Sequence, residues 1–271
     1  MRRTAPAAAG PLLSAAALCL LVLASQAPTR AQPAAAERRP GDGTEWGYAG
    51  PGGPEHWAEL SADNKVCATG GQESPIDLRG AIPARLGDLR VEWRPLPLRV
   101  TNTGHSIQVD APPGSRLSME GRAYELLQFH LHHPSEHLLE GRSFPMEIHF
   151  VHRGPGGDAL GVVAVFVEHG AHNEALEAVL ANMPAEAGAS REAAAAGATV
   201  QPHRLLPAER EFLRYEGSLT TPPCSENVDW AVLTRPIQAS PAQVSALERL
   251  YANNARPLQP LNRRFLLRSV Q

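Results

Sequence analysis

Lysine is nearly absent from this 271-residue chain: Lys65 is the only one, and arginine carries almost all of the positive charge. The formal net charge is only −3, which gives no polyanion-binding signature, so we expect no nucleic-acid partner. No internal repeat is visible. The apolar run from about Pro11 to Ala24 is too short to cross a membrane comfortably. Polyanion binding and a membrane span are therefore not indicated.

Cysteine is also scarce, and the first of the three, Cys19, lies in an N-terminal apolar run. Two arginines precede this run and small residues follow it, so residues 1–31 have the pattern of a secretory signal peptide. We expect the mature chain to be periplasmic or secreted, without a membrane span. Residues 32–43 predict a disordered lead-in, and residues 44–271 a single domain.

The other two cysteines, Cys67 and Cys224, would both remain in the mature chain. In an oxidising compartment they predict a disulfide bond, with two free thiols as the alternative. The bond would close a loop of more than 150 residues, for which the chain-entropy model gives an upper figure of about 4 to 5 kcal/mol of stabilisation.

Strand-like alternation dominates the mature chain, whereas helical periodicity is short and local. The strand-like stretches are 98–110, 160–170 and 228–237, and the helical ones lie near 172–182 and 240–252. Residues 160–167 are continuously apolar, which predicts a strand buried on both faces at the centre of a large sheet. The alanine-rich residues 185–198 predict an exposed connection. We therefore expect one mainly β domain with short peripheral helices.

Segment 128–152 holds most of the metal-binding potential of the chain. In an extended strand, side chains two residues apart fall on one face, so His130 and His132 point together. The following segment predicts a hairpin connection with Gly141 at its tip, and His149 lies on a second alternating strand. If the two strands are neighbours, three imidazoles converge.

Three neutral imidazoles are the ligand set of a catalytic zinc site with an open fourth position, whereas structural zinc sites are usually closed by cysteines. No cysteine lies near the cluster. Each ligating imidazole needs an acceptor for its other ring N–H, and Gln128 and Glu147 are placed to provide one. The alternative is that these histidines are hydrogen-bonded core or surface residues. We assign that role to His133, His137 and His152.

Eight motifs, spread along nearly the full mature chain, together resemble those of a known protein family. They are WGYAGPGGPEHW (46–57), QESPIDL (72–78), NTGHSIQV (102–109), QFHLHHPSEH (128–137), MEIHFVH (146–152), GSLTTPPC (217–224), VDWAVLTRPI (228–237) and ARPLQPLNRR (255–264). Through them the chain resembles α-class carbonic anhydrases of the secreted bacterial kind. The resemblance implies a large central twisted, mostly antiparallel sheet with zinc at the base of a conical cleft. It also implies that the two mature-chain cysteines are bridged.

The resemblance further implies Zn²⁺ as cofactor and CO2 and bicarbonate as substrates. Zinc lowers the pKa of bound water to about 7, so that hydroxide can attack CO2 at neutral pH. The family's zinc ligands correspond to His130, His132 and His149, the same three that strand geometry selects. Glu136 and Thr220 correspond to the pair that aims the hydroxide.

Other implied roles concern the proton and the substrate. His105 corresponds to the family's proton shuttle, and an ordinary histidine pKa near 6.5 suits that transfer. Tyr48, Asn102 and Gln108 correspond to residues that order a water chain, Gln108 replacing an asparagine. The residues that correspond to the apolar substrate wall and to the product contacts are Val151, Val162, Leu219, Trp230, Thr220 and Thr221.

Three alternatives come from other functional classes. A carbonic-anhydrase-like binding protein that has lost zinc is one, although such relatives usually lack a ligand histidine. A zinc hydrolase acting on esters is the second, expected only as a side activity. A structural zinc site is the third, and no fourth protein ligand is apparent for it. A monomer and a homodimer both remain open.

Overall fold

The computed structural model of the chain describes residues 45–270. The expected signal peptide (1–31) and lead-in (32–43) lie outside the described residues, as do Thr44 and Gln271 at the limits of the expected domain. No helix in the described part is long and apolar enough to cross a membrane.

Strands far outnumber helices within residues 45–270. The strands are β1 (Asp77–Leu78), β2 (Ile82–Ala84), β3 (Arg90–Glu92), β4 (Leu96–Pro97), β5 (Arg99–Asn102), β6 (Ile107–Asp110), β7 (Arg116–Met119), β8 (Arg122–His132), β9 (Leu138–Leu139), β10 (Met146–Arg153), β11 (Leu160–His169), β12 (Ser190–Glu192), β13 (Thr199–Val200), β14 (Phe212–Gly217), β15 (Val228–Ala239) and β16 (Leu267–Ser269). The α-helices are α1 (Trp57–Leu60), α2 (Val66–Thr69), α3 (Glu174–Leu180) and α4 (Pro241–Glu248). Short 3-10 helices span Gly50–Gly52, Ala62–Asn64 and Pro202–Leu205.

One large sheet forms the centre of the fold. Its strand order is β12-β5-β6-β8-β10-β11-β15-β14-β16-β2, and β7 also pairs with β8 and carries β3. Only the pairs β11–β15 and β16–β2 of this sheet are parallel. Two small sheets, β1–β9 and β13–β4, lie apart from it. The expected mainly β fold, with a large and mostly antiparallel sheet and short peripheral helices, is confirmed.

Strand β11 lies between β10 and β15 and is buried from Gly161 to Val167, as its continuous apolar run predicts. Successive side chains point to opposite faces of a sheet, so β11 contributes to two apolar clusters. Val163 belongs to the larger cluster and Val162 to the smaller one. The central strand therefore separates the main core from the face that carries the histidines.

The predicted elements are present, with shifted limits. The stretch 98–110 is not one strand, because it turns back after β5 and returns as β6, with Gly104 at a positive φ of 89° in the turn. Asn173 and Ser240 precede helices α3 and α4 as N-caps, and their side chains accept backbone N–H bonds from the first helical turn. The alanine-rich segment 185–198 is mostly exposed, but its residues in β12 pair with β5 at the sheet edge.

Strands β8 and β10 are antiparallel neighbours, as the histidine pattern requires. Their register places His149 opposite His130. The connection turns at Gly141, whose φ is 81°, and just before this turn it forms β9, which pairs with β1. A disulfide bond joins Cys67 and Cys224 across a sequence separation of 157, which confirms the predicted pairing.

Candidate metal centre

Three histidines from two adjacent central strands meet at one point. Alternation along β8 puts His130 and His132 on the same face, and the register of β10 brings His149 beside them. Their ring centroids lie between 4.5 and 5.3 Å apart. One donor nitrogen from each ring lies within 4.8 Å of the others, a spacing that could hold a metal ion.

Hydrogen bonds decide which ring nitrogen of each histidine faces the centre. Nδ1 of His130 donates to Oε1 of Gln128 at 2.9 Å, which leaves Nε2 for a metal. Nε2 of His149 donates to Oε1 of Glu147 at 2.7 Å, which leaves Nδ1. Both acceptors are the ones that the sequence predicts.

The acceptor for His132 is a group that the sequence does not reveal. Its Nδ1 donates to the backbone carbonyl of Asn254 at 2.8 Å, 122 residues along the chain. Its Nε2 is buried and has no hydrogen-bond partner among the described residues. A buried polar atom without a partner costs free energy, so this nitrogen fits a ligand atom. Three imidazole nitrogens form a donor set that suits zinc.

Burial also sets the charge of these rings. It lowers the pKa of His130 well below the ordinary value of 6.5, and the neighbouring His132 and His149 lower it further. Burial likewise lowers the pKa of His132. Both imidazoles are therefore neutral at neutral pH, which is the form that binds a metal ion.

Glu147 joins a metal-facing histidine to a buried hydrogen-bond chain. Its Oε1 also accepts from Nδ1 of His137 at 2.7 Å, and the other side of the His137 ring lies 2.6 Å from the Tyr215 hydroxyl. That hydroxyl lies 2.9 Å from Oγ of Ser74. Burial alone would raise the pKa of Glu147, but His137 and His149 hold it well below its ordinary value. His137 is a buried hydrogen-bonded residue, as expected, and it supports the metal centre through a carboxylate.

Glu136 is buried beside the same histidines. Its Oε1 accepts the backbone N–H of Arg256 at 2.9 Å. Its Oε2 has no hydrogen-bond partner in the described part of the chain and lies 3.5 Å from Nε2 of His132. Thr220 is buried too, but no hydrogen bond joins its hydroxyl to Glu136 among residues 45–270. The expected threonine–glutamate pair remains a prediction.

His105 lies in the turn between β5 and β6. Its ring stacks on the indole of Trp46 with 3.5 Å between centroids, and its Nε2 donates to the Trp46 carbonyl at 2.8 Å. The turn is built by Thr103, whose hydroxyl oxygen accepts the backbone N–H of Ser106 at 2.9 Å. The imidazole is therefore held by specific contacts.

Residues 52–270 match the family model described as eukaryotic-type carbonic anhydrase. The chain belongs to this family. A curated carbonic anhydrase of Nostoc sp. is 42% identical over 230 residues, which cover 83% of this chain and 86% of the relative.

Solved structures of carbonic anhydrases agree. The α-carbonic anhydrase of Thermovibrio ammonificans, solved with the inhibitor sulfanilamide, has a TM-score of 0.79 and 40% identity, covering 83% of this chain and 99% of that one. A dioscorin of Dioscorea japonica is also a relative, 33% identical over 78% of this chain and 80% of its own length. The family resemblance expected from the motifs is confirmed.

The apolar wall expected for a carbonic anhydrase forms a row across three strands. Val151 pairs with Val162, which in turn pairs with Trp230. The Trp230 ring centroid lies 4.9 Å from that of His149, so the row borders the metal centre. The four expected wall residues belong to or pack against one cluster: Val151, Val162, Leu219 and Trp230. Thr221 is half-buried in the loop that follows β14.

Two of the expected water-ordering residues border the same region. The Tyr48 hydroxyl is buried and has no hydrogen-bond partner among the described residues. Burial raises its pKa, and the charge of Glu136 raises it further. Gln108 faces His130 in the register of β6 and β8, and its Nε2 donates to Oδ1 of Asp110 at 2.7 Å.

Asn102, the third expected water-ordering residue of this carbonic anhydrase, has a structural role instead. Its Nδ2 donates to the carbonyls of Pro184 and Ala185, at 3.0 and 3.3 Å. Its Oδ1 accepts from the backbone N–H of Gly104 at 2.9 Å and from the Tyr251 hydroxyl. The side chain is buried and saturated by protein partners, so Asn102 anchors the turn that precedes His105, and the expected water-ordering role is wrong.

The remaining two histidines of the motif region have structural contacts, as expected. His133 lies at the surface with Nδ1 3.1 Å from the Ala252 carbonyl. His152 is buried: its Nδ1 donates to the Gly161 carbonyl at 3.1 Å, and its Nε2 accepts from the indole N–H of Trp93 at 3.1 Å. Neither histidine belongs to the group whose nitrogens converge.

Proposed function

We propose that the chain catalyses the reversible hydration of CO2 to bicarbonate and a proton, with Zn²⁺ as cofactor. The observation that carries the proposal is the convergence of three imidazoles, each oriented by its own acceptor, with the buried Nε2 of His132 left without a partner. His130, His132 and His149 would hold the ion. Family membership and the named activity of the bacterial relatives support the same conclusion.

When bound, Zn²⁺ would act as a Lewis acid that makes hydroxide available near neutral pH. The apolar row beside the histidines offers CO2, a small apolar molecule, a site without a charged anchor. Thr220, with Glu136 as its acceptor, would orient the attack, because a hydroxyl that donates to a carboxylate can only accept on its other side. Thr221 would contact the bicarbonate product.

Turnover also requires export of the proton. His105 is proposed to accept it, since imidazole exchanges protons efficiently near neutral pH. Tyr48 and Gln108 would border the water path between the metal centre and His105. A slow hydrolysis of activated esters is proposed as a side activity.

We also propose a location for the protein. A signal peptide in residues 1–31 would direct the chain to the periplasm or outside the cell, leaving the domain of 44–271 after the lead-in. The disulfide bond supports an oxidising location, because such bonds are rare where thiols are kept reduced.

Stopped-flow CO2 hydration with a pH indicator tests the reaction and the metal together. We expect rapid hydration that chelation abolishes and Zn²⁺ restores. His132→Ala should lose zinc and activity together, whereas His133→Ala, a matched change at the next residue, just after β8 ends, should keep both. A full zinc equivalent with wild-type turnover in His132→Ala would remove the ligand assignment.

The relationship to a dioscorin makes a binding protein the second candidate. A catalytically silent carbonic-anhydrase-like protein would retain the fold and the apolar row but would not hydrate CO2. Absence of hydration by a chain that holds a full equivalent of zinc would favour this candidate.

A further inference from the structure

Asn254 is fully buried and links three parts of the site, although neither the sequence motifs nor the expected roles single it out. Its backbone carbonyl accepts from Nδ1 of His132, and its Oδ1 accepts the backbone N–H of His133 at 2.7 Å. Its Nδ2 donates to the carbonyls of Leu131 at 3.0 Å and of His105 at 2.9 Å.

The backbone carbonyl and the side-chain amide of Asn254 therefore have different roles. The backbone carbonyl selects the ring nitrogen by which His132 faces the metal centre. The side-chain amide holds the backbone that carries the expected proton acceptor, His105. Because Nδ2 carries two hydrogens, it bonds both carbonyls at once and ties the turn before β6 to the end of β8.

We propose that Asn254 is a positioning residue that couples the orientation of the metal ligand His132 to the placement of His105 for proton export. The inference rests on the proposed function, since it assigns a part in that reaction. His132 would be fixed when a metal ion is bound, while the Nδ1 hydrogen bond holds the Asn254 backbone and the carboxamide holds the carbonyl of His105. Displacements near 1 Å are enough to slow a positioned transfer strongly.

Substituting the side chain separates the two roles. Asn254→Ala removes the bonds to His105, Leu131 and His133, while the backbone carbonyl still accepts from His132. We expect zinc content and kcat/KM for CO2 to fall less than kcat, because the backbone carbonyl that orients His132 is retained. We expect kcat in weak buffer to fall about tenfold, since proton export limits turnover at saturating CO2.

Two comparisons distinguish positioning from a general packing role. Added imidazole should restore kcat of Asn254→Ala, because a diffusing acceptor replaces the misplaced ring. The double change Asn254→Ala with His105→Ala should be no slower than His105→Ala alone, as expected for residues acting in one step.

A control variant tests whether lost stability alone lowers turnover. Asn173→Ala removes the side-chain cap of α3 and should lower the melting temperature without changing kcat.

A measurement on the unaltered chain covers the case in which Asn254→Ala does not fold. Amide hydrogen exchange of residues 103–106 should be slower in the zinc-loaded chain than in the metal-free chain, because the metal orders the turn through Asn254. The exchange of α3 provides a control that should not change.

The outcomes of these measurements are distinct. Equal exchange of the turn with and without zinc overturns the coupling. A parallel loss of kcat and kcat/KM without imidazole rescue assigns Asn254 a packing role and also overturns it. If the unaltered chain binds zinc and shows slowed exchange of the turn but does not hydrate CO2, the coupling stands and the proposed function fails.

Discussion

His152, one of the two buried histidines of β10, should make the fold sensitive to acid. Its Nδ1 donates to the Gly161 carbonyl and its Nε2 accepts from the indole of Trp93, so the neutral ring is satisfied on both sides. A proton on Nε2 would face the Trp93 N–H, and two donors would then oppose each other. Burial lowers the pKa of His152 from 6.5 to about 4.

The magnitude follows from the difference between the folded and unfolded chains. Between pH 6.5 and about 4 the unfolded chain binds a proton that folded His152 excludes, so the free energy of unfolding falls as the pH falls. The loss begins near pH 6.5 and is complete below about 4. A pKa difference of about 2.5, at about 1.36 kcal/mol per pKa unit, corresponds to about 3 kcal/mol.

Urea unfolding of the metal-free chain at several pH values between 7 and 4 measures this loss, with His152→Gln as the reference. Glutamine keeps a donor and an acceptor but does not titrate. The other titrating groups are common to both chains and cancel in the difference. We expect the stability advantage of the unaltered chain over His152→Gln to shrink by about 3 kcal/mol from pH 7 to pH 4.

A constant difference across that range would refute the reasoning. A directly measured His152 pKa near 6.5, from NMR titration of the folded chain, would refute it as well, because no proton would then be excluded by folding.

Three further changes have defined outcomes. Reducing the Cys67 disulfide should lower the free energy of unfolding by up to about 4 to 5 kcal/mol, measured by urea unfolding with and without reductant. Arg256→Ala should cost about 3 to 5 kcal/mol, since it leaves the buried carboxylate of Glu73 without its partner at 2.6 Å; Arg256→Lys should recover part of this in thermal unfolding. Gly217→Ala should cost about 1 to 3 kcal/mol, because a Cβ there would overlap Oγ of Ser74 and crowd the Tyr215 ring; a melting temperature equal to that of the unaltered chain would contradict this packing.

Local patterns predict the elements of the site well because strand alternation has a fixed period. The i, i+2 spacing of His130 and His132 requires only that β8 be extended, and Gln128 lies one further step along the same face. Continuous burial of β11 follows from its apolar run in the same way. These predictions depend on residues close in sequence, where geometry is nearly independent of the rest of the fold.

Contacts made by the backbone are the part that the sequence conceals. The acceptor of His132 is a backbone carbonyl, which every residue has. The residue type at position 254 therefore does not predict this hydrogen bond. The sequence does not predict the role of Asn102, because an asparagine side chain can bond water and backbone equally well, and only the folded path of 184–185 decides between them. The sequence does not predict edge strand β12 for a similar reason, since its pairing with β5 uses backbone groups.

The separation of the His132 acceptor from its histidine has a consequence for the order of folding events. The three imidazoles belong to neighbouring strands joined by one short connection, so they can meet early. The carbonyl that orients His132 belongs to residue 254, close to the end of the chain. A partly folded chain can therefore gather the three rings, and orient His130 and His149 through Gln128 and Glu147, before the tautomer of His132 is fixed. We therefore expect the hydrogen bond that orients His132 to form only when the segment containing residue 254 docks.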